Sequence, residues 1–133
     1  MDIETIRTYC LKKKAASEGF PFDETTLVFK VMDRMFAVID LDHPDKLTVK
    51  CNPDYAIELR DRYNGIEGAW HFNKKYWNQI HLMSDVPESL ILELIDHSYE
   101  EVIKKFTRKQ IAERGKSGKL QVKITGGTRY QTC

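Results

Sequence analysis

The chain has 133 residues, the usual length of one domain, and with 41% hydrophobic and 31% charged residues its composition is that of a globular protein, not of a disordered one. No apolar run approaches the roughly 18 residues of a membrane-spanning helix, and the N-terminus has neither the basic start nor the apolar core of a signal peptide. We therefore expect a cytoplasmic protein without a membrane partner. The formal net charge is +1, yet residues 1–103 carry 12 Lys/Arg against 19 Asp/Glu, whereas residues 104–133 carry 9 against 1.

The first half of the chain predicts one helix and three strands. Ile3, Ile6 and Cys10 recur at the three- and four-residue spacing of an amphipathic helix. Two runs rich in β-branched and aromatic residues flank the short polar turn Met32-Asp33, which is typical of a β-hairpin. The predicted elements are a helix over 2–15 and strands over 25–31, 34–40 and 46–51.

The stretch HFNKKYWNQIHL mixes histidines, lysines and aromatic residues. Such a mixture suits a surface for phosphates and bases, and it equally suits a half-buried strand with one wet face. The surrounding pattern predicts a hairpin, with strands over 69–72 and 76–82 joined by Asn73-Lys74-Lys75.

Two further helices are predicted. Asn52 is a suitable N-cap and Pro53 fits the first turn of a helix over 54–64, which Gly65 would stop. Asp85 and Glu88 form a capping-box pattern before the last helix, predicted over 86–106. The apolar stripe of that helix comprises Ile91, Leu94, Ile95, Ser98, Val102 and Phe106.

The composition changes after residue 113. We therefore divide the chain into a domain over 1–113 and a basic, glycine-rich C-terminal extension over 114–133. Within the extension, the alternating patch LQVKIT predicts either an extra edge strand of the sheet or a tail that orders with a partner. The sequence leaves both interpretations open.

Motifs for catalysis and metal binding fail on their spacing. Asp40 could begin a calcium loop, but the sixth and twelfth positions hold Asp45 and Cys51 in place of the required glycine and glutamate. No serine lies in a nucleophile elbow, and no histidine pair has the spacing of a zinc protease. Asp96 and His97 are adjacent on a helix, so their side chains diverge by about 100°. We expect no enzymatic activity, no metal and no cofactor.

The cysteines predict reduced thiols. Cys10, Cys51 and Cys133 are an odd set without the CxxC spacing of a zinc site. Cys10 and Cys51 fall on faces assigned to the core, where a buried thiol is inert because its pKa is raised.

The segments IRTYCL, FPFDETTLVFKVMDRMFAVIDLD, LTVKCNPDYAIELRDRYNGIEG, WHFNKKYWNQIHL and LIDHSYEEVIKK follow one another along residues 1–113. In this order they closely resemble the MmcQ/YjbR family. The resemblance implies a two-layer α+β domain with an antiparallel sheet and the order helix, three strands, helix, two strands, helix. It also implies a likeness to the secretion-chaperone-like fold and to the double-wing DNA-binding domain of a phage transcription factor, through which the family is labelled DNA-binding.

Two functions of different classes fit this pattern. The first is the binding of duplex DNA, because lysine suits phosphate as a compact charge and asparagine can read a base edge. The candidate nucleic-acid-binding residues are Lys50, His71, Asn73, Lys74, Lys75 and Trp77. The alternative interpretation is structural, with the lysines in a turn and Trp70 and Trp77 as a cross-strand core pair.

The second function is a protein- or small-ligand-binding module. It would use an exposed sheet edge for a protein partner, or the Trp70/Trp77 surface, in keeping with the chaperone-like topology. Its structural alternative is a sheet covered completely by the helices. The acidic balance of residues 1–103 counts against the first function, because non-specific duplex binding depends on basic residues.

Overall fold

Three helices and six strands are present in the computed structural model, which describes residues 1–106 together with residues 110 and 112. The elements are α1 (Ile3–Leu11), β1 (Ala16–Gly19), β2 (Thr26–Val31), β3 (Arg34–Asp40), β4 (Lys46–Lys50), α2 (Pro53–Arg62), β5 (Ile66–Gly68), β6 (Trp77–His81) and α3 (Glu88–Ile103). The strands form one antiparallel open sheet in the order β1-β2-β3-β4-β6-β5, so the predicted α+β class is confirmed. The strand predicted within 114–133 lies outside the described residues.

The sheet buries one of its faces against the helices. Alternate strand residues such as Phe29, Ile39 and Leu47 point to that face and form one apolar core with residues of all three helices. The residues between them, such as Val38 and Thr48, point to the opposite face. No helix within residues 1–106 covers that second face, which leaves it available for other contacts.

A serine of α3 joins the helix layer to the sheet. β3 and β4 pair at two register positions, and at the next one Phe36 would face Lys50. The hydroxyl of Ser98 lies there between the strands, accepting from the backbone N–H of Lys50 at 2.9 Å and donating to the carbonyl of Phe36 at 2.5 Å. Ser98 is fully buried, so its hydroxyl satisfies two backbone groups that would otherwise lack a partner. This contact fixes the register of α3 on the sheet.

Local signals in the sequence predict the hairpin turn and the start of α2 correctly. Met32 and Asp33 have φ angles of 50° and 67°, the left-handed conformation that a two-residue hairpin turn requires. The side-chain oxygen of Asn52 accepts from the backbone N–H groups of Asp54 and Tyr55 and caps α2. The predicted apolar stripe of α3 is buried from end to end.

The segment after the first helix contains a strand that the sequence does not predict. α1 ends at Leu11, earlier than predicted, and Ala15 turns the chain with a φ of 62°. The next residues pair with β2 as the edge strand β1, and Arg7 binds the carboxylate of Glu18 through two hydrogen bonds of 2.6 and 2.7 Å. The sequence ASEG has low strand propensity, so this strand depends on its partner and no local pattern reveals it.

The hairpin near residue 70 differs from the prediction in its first strand. The paired strand is β5, and the predicted strand 69–72 belongs to the loop that leads to β6. Trp70 is 76% exposed, so the predicted core pair of Trp70 and Trp77 is wrong. Phe72 takes that place, with its ring centroid 5.3 Å from that of Trp77.

The predicted capping box of α3 is also wrong. α3 begins at Glu88 after Pro87, without a hydrogen bond from a capping side chain. Asp85 instead accepts from the backbone N–H groups of Asn64 and Gly65, each at 2.8 Å. These bonds lower the pKa of Asp85 and fasten the turn that follows α2. A contact across twenty residues thus displaces the local pattern.

Replacing Ser98 by alanine should destabilise the protein by roughly 2–6 kcal/mol, because the Lys50 N–H and the Phe36 carbonyl each lose a buried partner at about 1–3 kcal/mol. Urea unfolding followed by circular dichroism measures the change. Ser17→Ala, on the exposed edge strand β1, is the matched control and should lie within about 0.5 kcal/mol of the wild type. Equal midpoints for both variants would contradict the bridging role of the hydroxyl.

Candidate functional site

A groove of about 660 Å³ lies on the helix-free face of the sheet. This volume is within the range of small-molecule binding sites. Side chains at successive register positions of β3, β4 and β6 form its floor, among them Val38, Thr48 and Gln79. The loop 20–25 borders the groove on one side, and the loop 69–76 borders it on the other.

Helix α2 holds the loop 69–76 in place. Arg60 donates through Nε to Oδ1 of Asn78 at 2.7 Å and through Nη2 to the carbonyl of Lys74. Asn78 is buried on the core side of β6, and its amide also donates to the carbonyl of Ala56 at 3.4 Å. The helix layer therefore sets the position of a loop that borders the opposite face.

Exposed aromatic rings stand on both rims of the groove. Trp70 is 76% exposed on one rim, and Phe22 is 62% exposed on the other. Phe22 is placed by the turn that follows it, in which Oδ1 of Asp23 accepts from the backbone N–H groups of Thr25 and Thr26 at 2.9 and 2.7 Å. Large aromatic side chains that flank a concave surface are typical of a binding site.

One end of the groove, near the β3–β4 connection, is polar. Asp40 accepts from the backbone N–H of Asp42 at 2.9 Å and lies 3.2 Å from Nδ1 of His43, and chiefly the first of these bonds lowers the pKa of Asp40. Lys46 also lines this end and has no ion-pair partner among the described residues. The groove thus offers an ionised carboxylate and an ammonium group that forms no ion pair within the described part of the chain.

Cations from four separate segments converge beyond the other end of the groove. We call Arg34, Lys50, Lys75 and Lys105 the basic cluster. Burial lowers the pKa of Lys50, and the positive charges of Lys105 and Arg34 lower it further, while the nearby carboxylate of Glu101 acts in the opposite direction. The ammonium groups of Lys75 and Lys105 lie 5.5 and 5.7 Å from the ring centroid of Tyr76. Lys50 points to the groove face of β4, so the cluster adjoins the groove.

The predicted nucleic-acid-binding residues fall into two groups. Lys50 and Lys75 belong to the basic cluster, and His71 lines the groove. Lys74 places its ammonium 4.9 Å from the ring centroid of the exposed Trp70. These side chains surround one end and one rim of the groove.

The other predicted residues, Asn73 and Trp77, have structural roles in the loop 69–76 and at its base. The Oδ1 of Asn73 accepts from the backbone N–H of Lys75 at 3.0 Å and forms the turn of the loop. Trp77 is only 9% exposed and packs beneath Phe72. Both residues position the loop, and their polar or aromatic groups are largely occupied in doing so.

Sequence reasoning missed Phe22, Arg34 and Lys105. Phe22 lies in FPFDE, a segment of the family resemblance that carries no binding signal of its own. Arg34 opens β3 and Lys105 follows α3, so their proximity to Lys50 depends on the tertiary fold. No sequence signal brings these three segments together.

The described residues show no constellation for nucleophilic or metal chemistry. Cys10 and Cys51 are buried as predicted, and burial raises both pKa values, that of Cys51 to about 12. Among the residues that the structure describes, no three His, Cys, Asp or Glu side chains are grouped to hold a metal ion. Within the same part of the chain, no helix has the length and apolar character to cross a membrane.

Asp96 and His97 have separate structural partners. Asp96 accepts from the hydroxyl of Tyr9 at 2.8 Å and pairs with Lys13, which ties α3 to the N-terminal segment. His97 accepts through Nε2 from the backbone N–H of Asn52 at 3.1 Å. Burial lowers the pKa of His97 and favours the neutral ring that this bond requires.

Comparison with known sequences identifies relatives. A family model described as YjbR matches residues 11–101. The chain is 28% identical over 104 residues to the uncharacterized protein YjbR of Escherichia coli strain K12, covering 77% of this chain and 88% of that protein. It is 25% identical over 101 residues to the uncharacterized protein YbdF of Escherichia coli, covering 75% and 83%.

Solved structures share the fold. A Deinococcus radiodurans protein with a domain described as DUF419 superposes with a TM-score of 0.80 at 35% identity, covering 97% of this chain and 96% of that one. A Pseudomonas syringae protein gives a TM-score of 0.65 at 22% identity, covering 76% and 98%. The second likeness concerns the fold alone.

Trp77→Ala should lower the free energy of unfolding by about 3–5 kcal/mol, because it removes a buried aromatic ring. Trp70→Ala is the matched control, since the same substitution at a ring that is 76% exposed should change stability by less than about 0.5 kcal/mol. Urea denaturation of both variants measures the difference. A large loss for Trp70→Ala, or none for Trp77→Ala, would contradict these positions of the two rings.

Acidification should weaken the fold through His97. Its pKa is lowered from 6.5 in the folded state, so the unfolded chain binds the proton more readily and stability falls as the pH drops below about 6.5. His97→Gln keeps a neutral acceptor and should flatten the loss of stability between about pH 7.5 and about pH 5, measured by urea unfolding. His71→Gln, at an exposed position of the loop 69–76, is the matched control and should leave the loss as in the wild type. An unaltered pH profile for His97→Gln would refute this role.

Proposed function

Starting from the chain's membership of the YjbR family, we propose that it is a non-enzymatic nucleic-acid-binding protein. Its contact surface is the basic cluster together with the adjoining loop 69–76. The observation that carries this proposal is the convergence of Arg34, Lys50, Lys75 and Lys105 from four segments of the chain. Like charges at close range repel one another, and a row of phosphates would relieve that repulsion.

The charges around the basic cluster support this surface. The nearby Glu101 already pairs with Lys104 at 2.7 Å and is partly occupied. Residues 1–103 carry 12 Lys/Arg against 19 Asp/Glu, so most of this part of the chain repels a polyanion and directs it to the cluster. The sequence from 104 onward, which begins at the cluster, carries 9 Lys/Arg against 1 acidic residue and adds to the attraction.

The loop 69–76 contributes the remaining contacts. Lys74 and Lys75 supply point charges for phosphate, and His71 lines the groove. Asn73 holds the loop through its Oδ1, so we assign it to positioning the lysines and not to reading a base edge. With contacts of this kind, duplex binding is expected to show little sequence preference.

A second candidate function, a protein- or small-ligand-binding module, is favoured by the groove itself. Its volume of about 660 Å³ and its exposed aromatic rims suit a ligand. The sheet edges suit a protein partner less well, because β1 and β5 have only four and three residues. A partner strand would find few backbone groups to pair with.

Lys75→Gln combined with Lys105→Gln tests the nucleic-acid proposal. Fluorescence anisotropy of a labelled duplex, titrated with the full-length protein over a range of salt concentrations, should show weaker binding. The slope of log affinity against log salt should become shallower by about 1.8, since each phosphate contact contributes roughly 0.9. Lys12→Gln with Lys14→Gln removes the same charge at exposed positions outside the cluster and serves as the matched control.

The control variant with Lys12→Gln and Lys14→Gln leaves the basic cluster intact, so its slope of log affinity against log salt should equal that of the wild type. Neutralising Lys116, Lys119 and Lys123 in the extension, with the cluster intact, measures the contribution of the tail. If this tail variant loses all affinity while the cluster variant loses none, the cluster is not the contact surface. Absence of duplex binding by the wild type at low salt would favour the ligand-binding module.

A further inference from the structure

We propose that the groove on the helix-free face receives an unpaired nucleobase, so that the protein prefers single-stranded to duplex nucleic acid. This inference rests on the proposed binding of nucleic acid, and it adds which form is bound and where the base lies. Three features support it. The basic cluster complements the charge of a nucleic acid, the rims carry aromatic rings, and the floor is polar.

The dimensions of the groove suit a base with its sugar. Thr26 of β2 and Gln79 of β6 both line it, and the three strand spacings between them span roughly 14 Å. Phe22 and Trp70 stand on opposite rims of this floor. A planar ring that enters the groove can therefore stack against an aromatic side chain without moving the sheet.

Trp70 is the better stacking partner because of its exposure and its charged neighbour. Its indole is 76% exposed, although a ring of this size normally buries most of its surface. The ammonium of Lys74 lies over one face of the ring, 4.9 Å from its centroid, so a base would stack on the opposite face with this positive charge close by. Aromatic rings beside cations are the usual composition of single-strand binding surfaces.

The floor supplies polar groups for the edge of a base. Thr48 contributes a hydroxyl group, and Gln79 contributes the oxygen of its side-chain amide, whose nitrogen donates to Glu67 at 3.1 Å. The hydroxyl of Thr26 donates to Asp23 at 3.0 Å, so its oxygen can act only as an acceptor. Asp40 adds an ionised carboxylate, which accepts hydrogen bonds and repels a free carboxylate ligand. A purely apolar ligand would cover the Thr48 hydroxyl and the remaining acceptor oxygens without offering them a hydrogen bond, whereas a heteroaromatic base carries donors for them.

The basic cluster continues the groove along the same sheet face. Lys50 follows Thr48 by two residues on β4, which places it roughly 6.6 Å further along the strand. The phosphates that flank a bound base would thus run from the groove toward Lys50 and Lys75. In a duplex, each base is already stacked and paired, so it could enter the groove only by flipping out of the helix.

An abasic oligonucleotide separates base binding from phosphate binding. Fluorescence anisotropy should compare labelled oligothymidylate, an abasic strand of the same length and a duplex, each with the full-length protein at one salt concentration. The wild type should bind oligothymidylate about 5- to 100-fold more tightly than the abasic strand, the range expected for one stacked base. It should also bind oligothymidylate more tightly than the duplex.

Trp70→Ala should remove the advantage of oligothymidylate and leave the affinity for the abasic strand unchanged. Trp70→Phe, which restores a ring, should recover part of the advantage. Met83→Ala truncates a side chain that is 83% exposed and lies outside the groove, so it should behave as the wild type. All three variants change exposed positions and are expected to fold.

Equal wild-type affinity for oligothymidylate and the abasic strand would overturn the base site while leaving the basic cluster as a phosphate-binding surface. The same holds if Trp70→Ala keeps the full advantage, as it would if the groove served a protein partner. Tighter binding of duplex than of single strand would also overturn it. If no oligonucleotide binds the wild type at low salt, the proposed function fails together with this inference.

Discussion

The hydroxyl of Ser98 is the contact on which the arrangement of the two layers depends. It lies between β3 and β4 at the position where their next backbone pair would form, and it bonds to both strands. A helix that supplies a missing sheet hydrogen bond has little freedom to slide, because any shift leaves two buried backbone groups unpaired. Phe36 adds to this contact by packing edge-to-face on Tyr99 of the same helix, at a centroid distance of 5.4 Å.

With α3 fixed in this way and the other helices packed beside it, the apolar core lies on one side of the sheet and the opposite side carries the groove. Hydrogen bonds of Arg60 connect the two sides. From α2, this side chain donates to the backbone carbonyl of Lys74 in the groove loop and to Asn78 on the core side. The groove rim is therefore preorganised by the helix layer, and preorganisation lowers the cost of ordering a loop on binding.

The sequence predicts those parts of the fold that local chemistry determines. Asn52 and Pro53 define the start of α2, and the alternating strands on either side of Met32-Asp33 give the hairpin. The sequence does not predict elements that depend on contacts with distant residues. One example is β1, whose four residues form a strand only because they pair with β2. The same distinction applies to the site. The adjacent lysines of the loop can be recognised in the sequence, whereas the proximity of Arg34 and Lys105 to Lys50 arises only from the tertiary structure.

The proposed binding surface is the helix-free face of the sheet. The most direct measurement is a titration of the isotope-labelled full-length protein with oligothymidylate, followed by backbone amide chemical shifts. If the bases bind there, the largest changes in amide chemical shift are expected in the loop 69–76, at the ends of β4 and β6 and around Arg34. The solvent side of α1 should hardly change. Shifts concentrated on the helices, or spread evenly over the chain, would contradict it.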